Sequence, residues 1–207
     1  MPVHIKTENK PKSAGIRSIL RKNYVLASVS PRRIQLLEML GLNFISIGSG
    51  VEEIDSASNP VLTVKRNALA KSREVAFKFQ KEIVIGADTI VVLGKHTLNK
   101  PANLKQAREY LRRLSGKKHI VYTGVNVINT KNGNEVFGYE KTVVQFRDLT
   151  DDEIDFYVKK FRPLDKAGAY GIQDDFGCLF ISRIVGDYYN IVGLPLVKLY
   201  ECIKAVA

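Results

Sequence analysis

The chain reads as an α/β fold on a mixed, twisted sheet with flanking helices. Three observations predict it. Apolar strand-like runs alternate with helix-period stretches through the first half. An Asn132-Gly133 hairpin signal separates two long β-patterned segments in mid-chain. Helix-start residues stand directly ahead of the periodic stretches.

Residues 24–27 read as a first strand. Ser30 with Pro31 then opens a helix, since proline's fixed φ suits the first helical position. Ile34, Leu37 and Leu40 fall at helical spacing, Leu36 and Met39 widen the apolar face, and Gly41 stops the helix. Residues 44–47 read as a second strand, followed by a polar loop carrying Glu52, Glu53 and Asp55. Asn59-Pro60 opens a second helix to about residue 79, with Val61, Val64, Ala68, Val75 and Phe79 near one face. Residues 83–93 form a buried strand with a turn at Gly94-Lys95.

Asn103 caps a helix whose stripe is Leu104, Ala107, Leu111 and Leu114, with Gly116 as its stop. Residues 119–129 and 135–146 are the two arms of the hairpin. Thr150 and Glu153 make a capping box for a helix to about residue 160. A glycine-rich stretch, AGAYGIQ, occupies 167–173; residues 178–185 read as a strand and 194–205 as a last helix.

The 207 residues, 45% hydrophobic and 26% charged, suit one globular domain. No apolar run approaches the ~20 residues of a membrane helix, and the N-terminus has no secretory h-region. Two cysteines, Cys178 and Cys202, do not make a disulfide scaffold, so a reducing, cytoplasmic setting is expected. The net charge is +11, and residues 1–24 carry six Lys/Arg against one Glu. Residues 1–23 are expected to be a basic, flexible extension with a short helix near 16–22, and 24–207 the folded domain. A basic balance suits anionic partners, either small phosphates or nucleic acid.

Asp88 carries the most information. It lies inside the apolar run 83–93, where a carboxylate is costly unless paired or employed. It reads as a metal ligand, as a general base for water, or as a turn cap. Ser28, Ser30, Arg32 and Arg33 sit where a strand gives way to a helix, so backbone N–H groups, hydroxyls and two permanent cations converge on a plausible phosphate cradle. The alternative is a capped helix with solvated arginines. Glu52 and Glu53 offer a second carboxylate for a cation such as Mg²⁺, which is often held by one or two carboxylates plus phosphates. Lys71 falls near the Ala68/Val75 helix face, and Lys100 precedes Pro101 in a short loop. Together these residues suggest a nucleoside triphosphate and its metal.

Other chemistries lack their parts. No GxxxxGK[ST], GxGxxG or GxSxG occurs, and His4, His96 and His119 are scattered. The 18 Tyr and Phe residues show no RNP-like clustering.

Six blocks then resemble the Maf-like nucleoside triphosphate pyrophosphatases, in family order: LASVSPRRIQLLEMLGLNF (26–44), VIGADTIVV (84–92), NKP (99–101), LRRLSGKKHIVYTGV (111–125), DKAGAYGIQ (165–173) and GDYYNIVGLPL (186–196). The resemblance implies two lobes around a cleft, a fold related to the inosine triphosphatases, and hydrolysis between the α- and β-phosphates. It implies Mg²⁺ or Mn²⁺ and a homodimer, with no membrane or nucleic-acid partner. Position by position, Asp88 matches the proton acceptor, and Ser28, Arg33, Glu53, Lys71 and Lys100 match the conserved polar site. Arg32, Thr89 and Gln173 match the positions that mark the dTTP/UTP branch against a sibling branch preferring 7-methyl-GTP. Two positions depart mildly: Ser72 follows Lys71 where Ala is usual, and Asn99 stands where Gly is common. The competing expectations are the 7-methyl-GTP activity, a nucleic-acid-binding regulator suggested by the charge, and an inactive nucleotide sensor.

Overall fold

The computed structural model describes residues 15–54, 59–173 and 176–207. Residues 1–14, with His4, and Asp55 lie outside the described residues. Along the chain, β1 (Asn23–Leu26), α2 (Pro31–Met39) and β2 (Asn43–Ser46) follow a short helix α1 (Ile16–Leu20). Next come α3 (Pro60–Ala76), β3 (Ile83–Leu93), β4 (His96–Leu98) and α4 (Leu104–Leu114). The hairpin β5 (Lys118–Asn129) and β6 (Glu135–Phe146), then α5 (Asp151–Phe161), β7 (Ile181–Val185), α6 (Tyr188–Val192) and α7 (Leu196–Val206) complete it.

The sheet is mixed. Its order is β2-β1-β3-β5-β6-β7, with β4 beside β3. β1 pairs in parallel with both β2 and β3, while the β3–β5, β5–β6 and β6–β7 pairs are antiparallel. This agrees with the expected α/β class. β3 is central and buried on both faces, which is why its sequence is an apolar run without alternation.

Helix α3 packs on one face of β3. A side chain at Gly86 would overlap the Ala68 carbonyl and Ser72, so glycine there lets the helix lie close to the strand. Val64 packs with Ile90 and Val92, and Val75 with Val25 and Val84. The opposite face carries two separate cores. One joins Tyr24, Leu26, Leu37, Ile85, Val125 and α7; the other joins Val91, Leu111, Val121, Phe146, Ile154 and Tyr170. They lie toward opposite ends of the long strands, and a cavity opens between them. These are the two lobes and the cleft.

Several local expectations are corrected. α3 ends at Ala76, before the predicted residue 79. The strand predicted for 178–185 begins at Ile181, because Gly177–Phe180 forms a 3₁₀ turn. The short elements β4 and α6 were not predicted; each is too short to show a period. Ser30 stands at the N-cap of α2, but its side chain makes no capping bond. The turn instead closes on Ser28 Oγ, which accepts from the Ser30 backbone N–H at 3.2 Å. In the stretch 1–23, α1 forms at Ile16–Leu20 and Ile19 is buried, with its carbonyl accepting from Tyr24 Oη at 2.9 Å. Among the described residues, no helix is long and apolar enough to cross a membrane.

Candidate active site

The cleft holds a cavity of about 480 Å³. Ser28, Arg32, Arg33, Glu53, Lys71, Asp88, Thr89, Lys100 and Gln173 all line it. The structure therefore brings these residues together, and of the two candidate carboxylates in the loop after β2 it is Glu53, not Glu52, that lines the cavity. They come from the loop after β1, the start of α2, the loop after β2, the middle of α3, the middle of β3, the loop after β4, and the segment after α5.

Asp88 is at the centre, 3% exposed. Its Oδ1 accepts from Lys71 Nζ at 2.7 Å and its Oδ2 from Asn67 Nδ2 at 2.9 Å. Both partners project from α3, four residues apart and so on one helix face. The same Lys71 ammonium reaches Glu53 Oε1 at 2.6 Å, and Lys100 Nζ lies 3.6 Å from that oxygen. Burial pushes the Glu53 carboxyl up, but the cations Lys71, Lys100 and Arg33 outweigh it and hold its pKa below the ordinary value.

Arg33 does a second task besides adding charge. Its Nε donates to the Gly193 carbonyl at 2.9 Å. Nη1 donates to Ser28 Oγ at 3.2 Å and to the Ala87 carbonyl at 3.0 Å, and Nη2 to Thr89 Oγ1 at 3.1 Å. One planar fork thus joins the β1 loop, the middle of β3 and the end of α6, a geometry lysine lacks. Burial lowers its pKa, opposed by Asp88 and Glu53. Arg32 reaches across the cleft instead, with Nη1 2.7 Å from Asp165 Oδ2, and so ties α2 to the segment leading to Gln173.

Asp88 and Thr89 are neighbours on β3 and point to opposite faces, as a strand requires. Asp88 meets α3, whereas Thr89 meets Thr123 on β5 and the Gly193 carbonyl. Tyr170, Ile172, Ile191 and Val192 also line the cavity, so apolar side chains share it with the charged ones.

The carboxylates of Glu53 and Asp88 converge on one point, which the Lys71 ammonium occupies. A position flanked by two anionic oxygens suits a cation, and oxygen donors suit Mg²⁺ or Mn²⁺. Among the described residues, no group of three or more His, Cys, Asp or Glu gathers that could hold a metal ion.

Asn67, Asp165 and Thr123 were missed as site residues. Asn67 was within reach of the sequence, because it stands one turn before Lys71. Asp165 and Thr123 reach the site only through tertiary packing, and no local pattern marks them. His119 was placed at a strand start; it is buried there, with Nε2 2.7 Å from Tyr170 Oη and both rings edge-on to Phe146. Burial lowers its pKa to about 4.

A family model described as Maf-like protein matches residues 23–206. A dTTP/UTP pyrophosphatase from Dictyoglomus thermophilum is 44% identical over 182 residues, covering 87% of this chain and 94% of its own. One from Thermotoga maritima is 46% identical, covering 86% of each chain. One from Bacillus anthracis is 48% identical, covering 88% of this chain and 95% of its own. A solved structure of the Staphylococcus aureus Ham1 protein is similar at a TM-score of 0.45 and 18% identity, over 61% of this chain and 73% of that chain.

Proposed function

The chain belongs to the Maf-like protein family, and from that premise we propose that it is a nucleoside triphosphate pyrophosphatase cleaving dTTP and UTP to the monophosphate and pyrophosphate. The observation that carries this reading is the pairing of Asp88 and Glu53 around Lys71 inside a cavity that also receives Arg33 and Lys100. Relatives named dTTP/UTP pyrophosphatase, 44% to 48% identical, support the same substrate pair.

The cationic side chains of Arg33, Lys71 and Lys100 attract the triphosphate. Ser28 supplies a hydroxyl at the phosphate loop. Glu53 and Asp88 are the residues that would hold a divalent cation, Mg²⁺ or Mn²⁺, with water and phosphate oxygens as its other ligands. When bound, such a cation offsets charge on the phosphate oxygens. Asp88, held in orientation by Asn67 and Lys71, takes a proton from the attacking water. The water oxygen bonds to the α-phosphorus, the bond to the bridging oxygen breaks, and pyrophosphate leaves with that electron pair. Thr89, Gln173 and Arg32 line the same cavity and are the residues that would meet the base.

Residues 24–207 act as the catalytic domain and 1–23 as a basic appendage whose described end packs through Ile19. The apolar groove formed by Ile16, Leu20, Leu40, Val197 and Tyr200 is the face on which a second copy would dock. The exposed, unpaired Cys178 suits a reducing cytoplasm. A nucleotide panel with Mg²⁺, read for both phosphate and pyrophosphate, tests the activity. dTTP and UTP should be cleaved with release of pyrophosphate; preference for 7-methyl-GTP or a purine would reject the substrate assignment.

A further inference from the structure

On the reading that Glu53 and Asp88 hold a divalent cation, we propose that Asn67 clamps the loop bearing Glu53 to Asp88. The clamp makes the carboxylate pair selective for a small ion, Mg²⁺ or Mn²⁺, over Ca²⁺.

The two carboxylates have unequal support. Asp88 lies in the middle of β3 and is 3% exposed. Glu53 belongs to residues 51–54, which form neither helix nor strand, and its side chain is 45% exposed. Packing does not fix this loop, because the next residue, Ile54, is 53% exposed. Hydrogen bonds to Asn67 do. Asn67 Oδ1 accepts from the Ile54 N–H at 2.9 Å, and Asn67 Nδ2 donates to the Ile54 carbonyl at 3.0 Å. The side-chain amide thus pairs with both backbone groups of Ile54, as a neighbouring strand would. The other Nδ2 hydrogen goes to Asp88 Oδ2 at 2.9 Å. Only this orientation of the amide works, since the reverse would set its oxygen against two acceptors.

One planar group, on a side chain buried in α3, therefore holds both the Glu53 loop and Asp88. Lys71 also bridges the two carboxylates. Its long stem carries a point charge that follows either partner, so it tolerates a change of spacing. Asn67 is short and its bonds are directed, so it sets the spacing. Mg²⁺ demands a near-ideal octahedron of oxygens at about 2.1 Å, whereas Ca²⁺ accepts more ligands at about 2.4 Å in looser arrangements. A clamped pair of carboxylates suits the first ion, and a loop free to drift suits the second. Asn67 is thus a positioning residue that acts on the ion through its two carboxylates.

The test uses the full chain saturated with α,β-methylene UTP, whose carbon bridge resists cleavage. Bound Mn²⁺ is read by paramagnetic resonance, and Mg²⁺ or Ca²⁺ is titrated in to displace it. The unaltered chain should take Mg²⁺ in preference to Ca²⁺. In Asn67→Leu the Mn²⁺ affinity should fall by about tenfold or more. The preference for Mg²⁺ over Ca²⁺ should shrink by about fivefold or more. A merely structural loss would weaken both ions alike, so the ratio carries the inference. Asn67→Gln keeps the amide on a longer stem and should move the ratio the same way. A third measurement needs no variant: the Ile54 amide should exchange its hydrogen at least about tenfold more slowly than an open loop amide. An unchanged ratio in either folded variant, or a freely exchanging Ile54 amide, overturns the inference and leaves the pyrophosphatase reading standing. Unaltered Mn²⁺ affinity in Glu53→Gln overturns the parent reading instead, that these carboxylates hold the ion.

Discussion

Lys71 Nζ stands 2.7 Å from Asp88 Oδ1, on side chains that are 9% and 5% exposed. A pair so closed from water is costly to break, because the survivor keeps its charge without a partner. It also joins α3 to the central strand, so the groups proposed for chemistry are held by the fold's main packing contact.

Asp88→Asn keeps the shape of the side chain and its contact to Asn67 but loses the proton acceptor. Turnover of UTP should fall by roughly 10²–10⁴-fold, while nucleotide affinity changes little. Steady-state pyrophosphate release and calorimetric titration check the two halves. Full turnover in the variant would remove Asp88 from the role of base.

Lys71→Met should destabilise the fold by roughly 3–5 kcal/mol, because it strands the Asp88 carboxylate. The double variant Lys71→Met/Asp88→Asn should recover part of that loss. Urea unfolding of the four proteins in the cycle gives the coupling directly. A Lys71→Met variant as stable as the parent would mean that water or Glu53 rearrangement satisfies Asp88.

Arg33→Lys retains the charge but cannot reach Ser28, Ala87, Thr89 and Gly193 at once. KM for UTP should rise by about tenfold or more and the melting temperature should drop, since buried acceptors lose their donors. Kinetics and a thermal melt test this together. A rise in KM with no change in melting would assign Arg33 to the substrate alone.

His119 links pH to stability. Its pKa in the folded chain, about 4, lies below the ordinary 6.5 because burial disfavours the charged ring. Between these values the unfolded chain binds a proton that the folded chain does not. The stabilisation is therefore complete above about pH 6.5 and is lost as pH falls toward 4, amounting to roughly 3 kcal/mol. His119→Gln removes the titration, so unfolding free energies measured at neutral and acid pH should differ less in the variant by about that amount. Equal pH slopes would show that another group carries the acid sensitivity.

The sequence made the long elements legible for physical reasons. β3 shows as an apolar run because both its faces are covered. α4 shows through the Leu104, Ala107, Leu111 and Leu114 stripe, and the β5–β6 hairpin through Asn132-Gly133. The Thr150–Glu153 box forms with both of its bonds present. The candidate site was legible where a residue broke a pattern, as Asp88 does, or where six motif blocks carried it. It was not legible where a residue acts through space. Asp165 lies 133 residues from Arg32, and Thr123 lies 34 residues from Thr89. Ser30 holds the N-cap position of α2 without a side-chain capping bond, and its own backbone N–H is taken by Ser28 Oγ.

Because Asp88 and Thr89 face opposite ways from one strand, the groups proposed for bond cleavage and for base reading hang from adjacent links of a single rigid rod. Their spacing is set by the pleat, not by a loop. Drift on the Thr89 side can retune which heterocycle is accepted without moving the scissile machinery, so a lineage can acquire new tastes while its cutting edge stays put.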